Sequence, residues 1–205
     1  MFTGLIEEIG RVISLEKQAG GLSLSVRVPR IAPSCQIGNS VAINGCCLTV
    51  VAISKNQVEF LLLLETLSRT NLGDLQAGDH INCELPLLAN GRLGGHFVQG
   101  HIDCTAHVLS SSYSGQDFWA EIEIPPAAVQ YLIFKGSIAV NGVSLTIAKL
   151  KKRSFAVCIT PHTCAHTNLS GLHRGVRTNL EFDMVAKYIE RMQATRSTGR
   201  LAIQS

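Results

Sequence analysis

The residues best equipped for chemistry here are an adjacent cysteine pair, Cys46-Cys47, and two histidines, His96 and His101, inside the glycine-rich stretch Gly91–Asp103. A thiol serves as a nucleophile or simply as a small hydrophobe, and an imidazole as a base poised near neutral pH. The two histidines are five positions apart, so on one extended strand they face opposite sides and do not share a metal ion. The glycines around them predict a backbone that approaches a flat ligand closely. The seven cysteines are odd in number and lack C-x-x-C spacing, which argues against a disulfide framework or a structural zinc site and for free thiols in a reducing compartment.

These residues belong to a repeat. A shift of 97 lays Ser40–Gly45 on Ser137–Gly142, Leu48-Thr49 on Leu145-Thr146, and Thr70-Asn71-Leu72 on Thr167-Asn168-Leu169. Gly78, Asn82 and Glu84 then match Gly175, Asn179 and Glu181, and a shift of 96 sets Gly4, Ile6 and Val12 on Gly100, Ile102 and Val108. Two copies are too few for a solenoid, so each copy is expected to close as its own domain. The copies differ where chemistry is easiest to place. Cys47 lies opposite Ser144 and His101 opposite Leu5, a thiol against a hydroxyl and an imidazole against an alkyl group.

The elements that must position these groups read as strands. Leu22–Val28 alternates strictly, Phe118–Ile124 does so in outline, and short apolar runs occur at Ser40–Ile43, Cys47–Ile53, Val58–Leu64 and His80–Leu85. Asn-Gly, Lys-Asn and Ala-Gly pairs punctuate them. Six or so strands in about 90 residues predict a small barrel or sandwich. Each Asn-Gly pair is either a hairpin turn or a bend in a longer strand. Pro125–Tyr131 predicts a short helix opened by proline. Val185, Tyr188, Ile189 and Met192 mark one face of a C-terminal helix that packs back on the domain or meets another subunit, with a polar, frayed tail after Arg196.

Composition sets the outer limits. An apolar content of 46% with 16% charged residues fits a packed globular protein, and a net charge of +3 with scattered basic residues does not suggest nucleic acid. The N-terminus lacks the pattern of a signal peptide, and no apolar run reaches the roughly 18 residues of a membrane helix. The expectation is a cytoplasmic protein that touches neither membrane nor nucleic acid.

Met1-Phe2-Thr3-Gly4, Asn44–Val50 and Glu65-Thr66-Leu67 with Thr70–Gly73 resemble riboflavin synthase. So do Gly94-Gly95-His96 with Gly100-His101-Ile102, Lys135-Gly136 with Asn141–Thr146, and Pro161-His162-Thr163, so that the resemblance runs in order over essentially the whole chain. It implies an all-β fold of two tandem homologous six-stranded Greek-key β-barrels with a C-terminal α-helix, divided as 1–96, 97–184 and 185–205. It also implies a homotrimer with active sites between subunits, and leaves open an association with lumazine synthase, which makes the substrate. The reaction implied is the dismutation of two molecules of 6,7-dimethyl-8-ribityllumazine into riboflavin and 5-amino-6-ribitylaminouracil, without metal or cofactor.

Carried over position by position, one pocket uses Cys47, Leu48, Thr49, Leu61, Leu62, Leu63, Leu64, Glu65, Thr66, Gly100, His101 and Ile102. The other uses Gly4, Leu5, Ile6, Lys135, Ser144, Leu145, Thr146, Ile159, Thr160, Pro161, His162, Thr163 and Cys164. The catalytic roles implied fall to His101 with Ser40 and Thr146 for proton transfer, Cys47 against the ring that undergoes addition, and Asp183 in support. Leu61–Leu64 departs from the family, which commonly carries a polar pair there, and this bears on the side-chain contacts of the first pocket. Two rival readings share the barrel. A lumazine protein of luminous bacteria would hold the ligand without turning it over, and a flavin-binding reductase domain would need a nicotinamide domain for which no length remains.

Overall fold

Alternation of apolar and polar residues makes each copy a set of pleated strands that must bury one face, and closing the sheet on itself removes its edges. The computed structural model describes residues 1–198. In the first copy β1 (Glu8–Gln18), β2 (Gly21–Arg27), β3 (Ser40–Ile43), β4 (Cys46–Ser54), β5 (Gln57–Leu63) and β6 (His80–Glu84) close into a barrel in the order β1-β2-β5-β4-β3-β6. The second copy repeats this order with β7 (Cys104–Ser114), β8 (Asp117–Glu123), β9 (Ser137–Val140), β10 (Val143–Leu150), β11 (Ser154–Ile159) and β12 (Arg177–Phe182). In each barrel three hairpin-connected strands are followed by one that returns beside the first of them, which is a Greek key. The choice between barrel and sandwich is thereby settled.

The copies agree in detail. Bulges interrupt the ladders at Val12/Ser14 and Val108/Ser110, and again at Val50/Ala52 and Ile147/Lys149. Both Asn-Gly pairs are two-residue hairpin turns, with φ of 45° at Asn44 and Asn141 and 80° at Gly45 and Gly142. Positive φ at both central residues matches the right-handed twist of the flanking strands. Two six-residue helices that no sequence period announced follow the fifth strands: α1 (Leu64–Arg69) and α2 (Pro161–His166). The expected proline-opened helix is a 3-10 turn, Pro126–Tyr131.

Each barrel encloses its own apolar core, and a small third cluster of Phe2, Ala42, Val98 and Ala139 lies between them. The barrels are joined by asparagines in reciprocal bonds. The Asn71 amide donates to Asn179 Oδ1 and the Asn168 amide to Asn82 Oδ1, each at 2.7 Å. Asn82 Nδ2 reaches the Asn141 carbonyl and Asn179 Nδ2 the Asn44 carbonyl, each at 2.9 Å. Gly45 and Gly142 meet at the centre of this arrangement, where a Cβ on either would come within 2.7 Å of the other's backbone. A local two-fold axis thus runs between the copies.

Helix α3 (Met184–Thr198) follows β12. Glu190 anchors it by accepting from Tyr131 and Gln130. The stripe Val185, Tyr188, Ile189 and Met192 does not pack back on its own chain and is at least half exposed throughout. The end of the tail expected to fray, residues 199–205, lies outside the described residues.

Candidate active site

The segments that precede the two barrels cross over. Phe2 and Val98 exchange backbone hydrogen bonds of 2.7 and 3.2 Å, so residues 1–5 run antiparallel to 95–99 along the local axis. The Gly4 carbonyl accepts from the Ser144 amide of the second barrel, and the Gly100 carbonyl from the Cys47 amide of the first, both at 2.8 Å. Each segment is tied at its other edge to the barrel that follows it. Glu84 accepts from the amides of Thr3 and Gly4 and from the Thr3 hydroxyl at 2.7–3.0 Å, and Glu181 from the amides of Gln99, Gly100 and His101 at 2.6–3.1 Å. Burial pushes both carboxyls up, Glu181 to about 7.

The glycines serve this crossing. Gly4 and Gly100 have φ of 76° and 84°, and a Cβ on them would stand 2.6 Å from the Ser144 Cβ and 2.5 Å from the Cys47 Cβ. A Cβ on Gly95 would meet the Thr3 carbonyl at 2.1 Å. These glycines allow a close approach between protein segments.

The crossing brings Cys47 and His101 together. With Glu65, Thr66, Arg69 and Ile102 they line a cavity of about 430 Å³ on the outside of the first barrel. Strand alternation separates the two cysteines. Cys46 points inward, 7% exposed, and burial pushes its thiol up to about 12, which leaves it protonated, while Cys47 faces out. The α1 pair Glu65–Arg69 closes one rim with a 2.9 Å salt bridge, and Lys187 of α3, paired with Asp103 at 2.6 Å, stands at the other.

The second barrel offers the matching but chemically different place. Gly4 and Leu5 take the positions of Gly100 and His101 beside Ser144, whose Oγ lies 2.7 Å from Nδ1 of the buried His96. The two histidines thus serve different sites, as their odd spacing on an extended segment implies. Burial lowers the His96 pKa against the opposing pull of Asp183, so the ring is neutral near pH 7. Asp183 itself precedes α3 and accepts from the Val185 amide at 3.0 Å. Thr160 caps α2 through the Thr163 amide, where α1 has Leu63 and no side-chain cap. His162 and His166, which replace Glu65 and Arg69, stack with centroids 4.1 Å apart.

Other expected site residues are distributed by the pleat. Leu48, Leu62 and Ile159 point into the barrel cores and can offer a ligand only backbone, whereas Leu63 and Leu64 are 56% and 72% exposed. Thr49 and Thr146 face outward opposite Ser40 and Ser137 on the paired strands. Leu145 is half-buried against the second core, as are Ile6 and Cys164. Lys135 holds φ of 67° with its Nζ 5.3 Å from the Phe134 ring centre. Ser40 is not beside His101 within the chain; it lines a separate cleft of about 890 Å³ with Thr3, Leu5 and the Leu85–Ala89 segment. Arg69, Asp103, Lys187 and the two clasping glutamates were not singled out by type or spacing. Only Glu84 and Glu181 carried a signal, as a matched pair in the repeat.

Two closed Greek-key barrels that complete each other's outward sites define a duplicated ligand-binding fold, and the sequence model of the lumazine binding domain matches it twice, at residues 3–86 and 99–183. Solved structures of LumP complexed with 6,7-dimethyl-8-(1'-D-ribityl) lumazine and with riboflavin superimpose with TM-scores of 0.81 and 0.84 at 26% identity. They cover 88% and 89% of this chain and 98% and 99% of theirs. Riboflavin synthases of Actinobacillus pleuropneumoniae and Mycobacterium bovis are each 40% identical, over 93% and 97% of this chain and 88% and 100% of their own length. The chain belongs to the riboflavin synthase family.

Proposed function

We propose that this protein converts two molecules of 6,7-dimethyl-8-ribityllumazine into riboflavin and 5-amino-6-ribitylaminouracil. The two products together contain every atom of the two substrates, because one lumazine passes a four-carbon unit to the other, a transferase reaction. The observation that carries the reading is the pair of matched but unlike sites, Cys47 with His101 and Ser144 with Leu5. Likeness lets both accept the same molecule, and unlikeness lets one lumazine act as donor and the other as acceptor.

Holding two rings in contact replaces a bimolecular encounter and is worth roughly 7–11 kcal/mol. The proton transfers at the acidified methyl group fall to His101 and to hydroxyls such as Ser40 and Thr146, and Cys47 faces the ring that undergoes addition. Asp183 supports from the second barrel. The outward hydroxyls Thr49, Thr146 and Thr160 suit a ribityl polyol. Ser40 and His101 lie in separate clefts of one chain, and this favours active sites built between subunits. The exposed apolar stripe of α3 supports a homotrimer, with the N-terminal barrel of one subunit facing the C-terminal barrel of the next. No helix among the described residues is long and apolar enough to cross a membrane, and we place the protein in the cytoplasm.

The test is incubation of the purified protein with 6,7-dimethyl-8-ribityllumazine, followed by chromatography. One riboflavin and one pyrimidine should form per two lumazines consumed, by a particle of three chains in analytical ultracentrifugation. A lumazine that stays bound and unchanged would assign the chain to the non-catalytic binding proteins of the same fold.

A further inference from the structure

The buried imidazole of His96 is a titratable group that touches Ser144 directly and that the mechanism above leaves unused. His96 is 8% exposed, Nδ1 lies 2.7 Å from Ser144 Oγ, and Nε2 has no hydrogen-bond partner among the described residues. A buried polar atom left unpaired is destabilising, so a ring used only to fill space would be better replaced by an apolar one. The backbone is shaped to bring it there. His96 donates its amide to the Thr3 carbonyl at 3.2 Å, and the chain reaches that point through Gly95, where a Cβ would also come within 2.8 Å of the Ser144 Cβ. At the other site Cys47 has no such partner: no side-chain hydrogen bond is made by its thiol among the described residues.

We infer that His96 is a positioning residue for Ser144, holding the ring as the Nε2–H tautomer so that Nδ1 accepts a hydrogen bond from the Ser144 hydroxyl and both Oγ lone pairs are left to face the ligand. Asp183 is the charged group whose field reaches the ring, and it opposes the lowering that burial imposes. Without the histidine the serine hydroxyl rotates freely and presents its proton as often as its lone pairs. With it, the second site offers a fixed acceptor where the first offers a thiol. The inference deepens the function proposed above and rests on it only for its kinetic arm.

Two measurements test it. Nitrogen-15 NMR of the imidazoles needs no turnover. His96 should be neutral at pH 7 with the proton on Nε2, and Ser144→Ala should mix the tautomers. A proton on Nδ1 in the parent protein, or a tautomer indifferent to Ser144→Ala, overturns the assignment. In the kinetic arm, His96→Leu should lower kcat about tenfold with KM little changed, while His96→Asn, whose amide oxygen stands near the place of Nδ1, should recover most of the loss. In a Ser144→Ala background His96→Leu should cost less than about twofold, because the group it acts through is gone. Equal losses in both backgrounds, or an Asn variant no better than Leu, refute the positioning role. Should His96→Leu fail to fold, His96→Gln, which places its amide near Nε2, takes its place as the variant that loses the bond. A parent protein that makes no riboflavin defeats the proposed reaction and leaves the tautomer result to stand by itself.

Discussion

The two halves of this molecule are alike where they touch each other and unlike where they face outward. Asparagines 44, 71 and 82 find their mates in 141, 168 and 179, and the hydrogen bonds between the sets agree within a few tenths of an ångström. Outside, Cys47, His101, Glu65 and Arg69 stand against Ser144, Leu5, His162 and His166. The contact on the local axis admits no change that is not matched across it, because a buried amide that loses its partner is left unsatisfied. The outward faces carry no such constraint, and there two copies of one module acquire different chemistry.

That contrast is open to attack by making the halves more alike or less. The largest effect is expected from His101→Leu, which gives the first site the residue of the second. Riboflavin formation should fall by about 10²–10⁴-fold, the scale of a lost general acid or base, with thermal stability nearly unchanged. A parent-like rate would remove the functional meaning of the asymmetry. On the axis, Asn82→Ala and Asn179→Ala should each cost about 3–5 kcal/mol in urea unfolding, since each strands two or more buried partners. The two losses should agree within about 1 kcal/mol, and a wide disparity would break the claimed equivalence.

Glu181 sharpens the comparison through pH. Its pKa is raised by burial from 4.5 unfolded to about 7 folded, so the folded state holds the proton more tightly. Its contribution to stability is complete below pH 4.5 and is lost as pH rises toward 7, by up to about 3 kcal/mol. Glu181→Gln should flatten the difference in unfolding free energy across that interval, and Glu84→Gln should act in the same direction. A difference that grew with pH would reverse the sign of the argument. The smallest effect belongs to the Glu65–Arg69 pair, which is exposed. Glu65→Ala should change stability by no more than about 0.3–0.5 kcal/mol in calorimetry.

Much of this architecture was legible in the residue order because strands and tight turns are local. The alternation at Leu22–Val28 sufficed to place β2, and the two Asn-Gly pairs marked where the chain turns on the axis without deciding between a hairpin and a bend. Leu61–Leu64 concealed its pleat, since four identical residues show no period, yet Leu62 is in the core and Leu63 outside. Helices α1 and α2 are too short for a helical repeat to be visible. The pairing of Ser144 with His96 and the separation of Ser40 from His101 depend on which segment crosses to which barrel. That is a long-range choice that no run of neighbouring residues encodes.

The crossing also has a consequence for synthesis. Residues 3–5 are made long before the strand they lie on, because Ser144 follows Gly4 by about 140 residues. At roughly 5–20 residues per second a ribosome takes about 7–30 s to cover that distance. For all of that time the first barrel can close around its own core and hold Thr3 and Gly4 through Glu84, while the Gly4 carbonyl still lacks the Ser144 amide. The crossing is therefore completed last, when the second barrel brings Ser144 to a segment that the first barrel already holds.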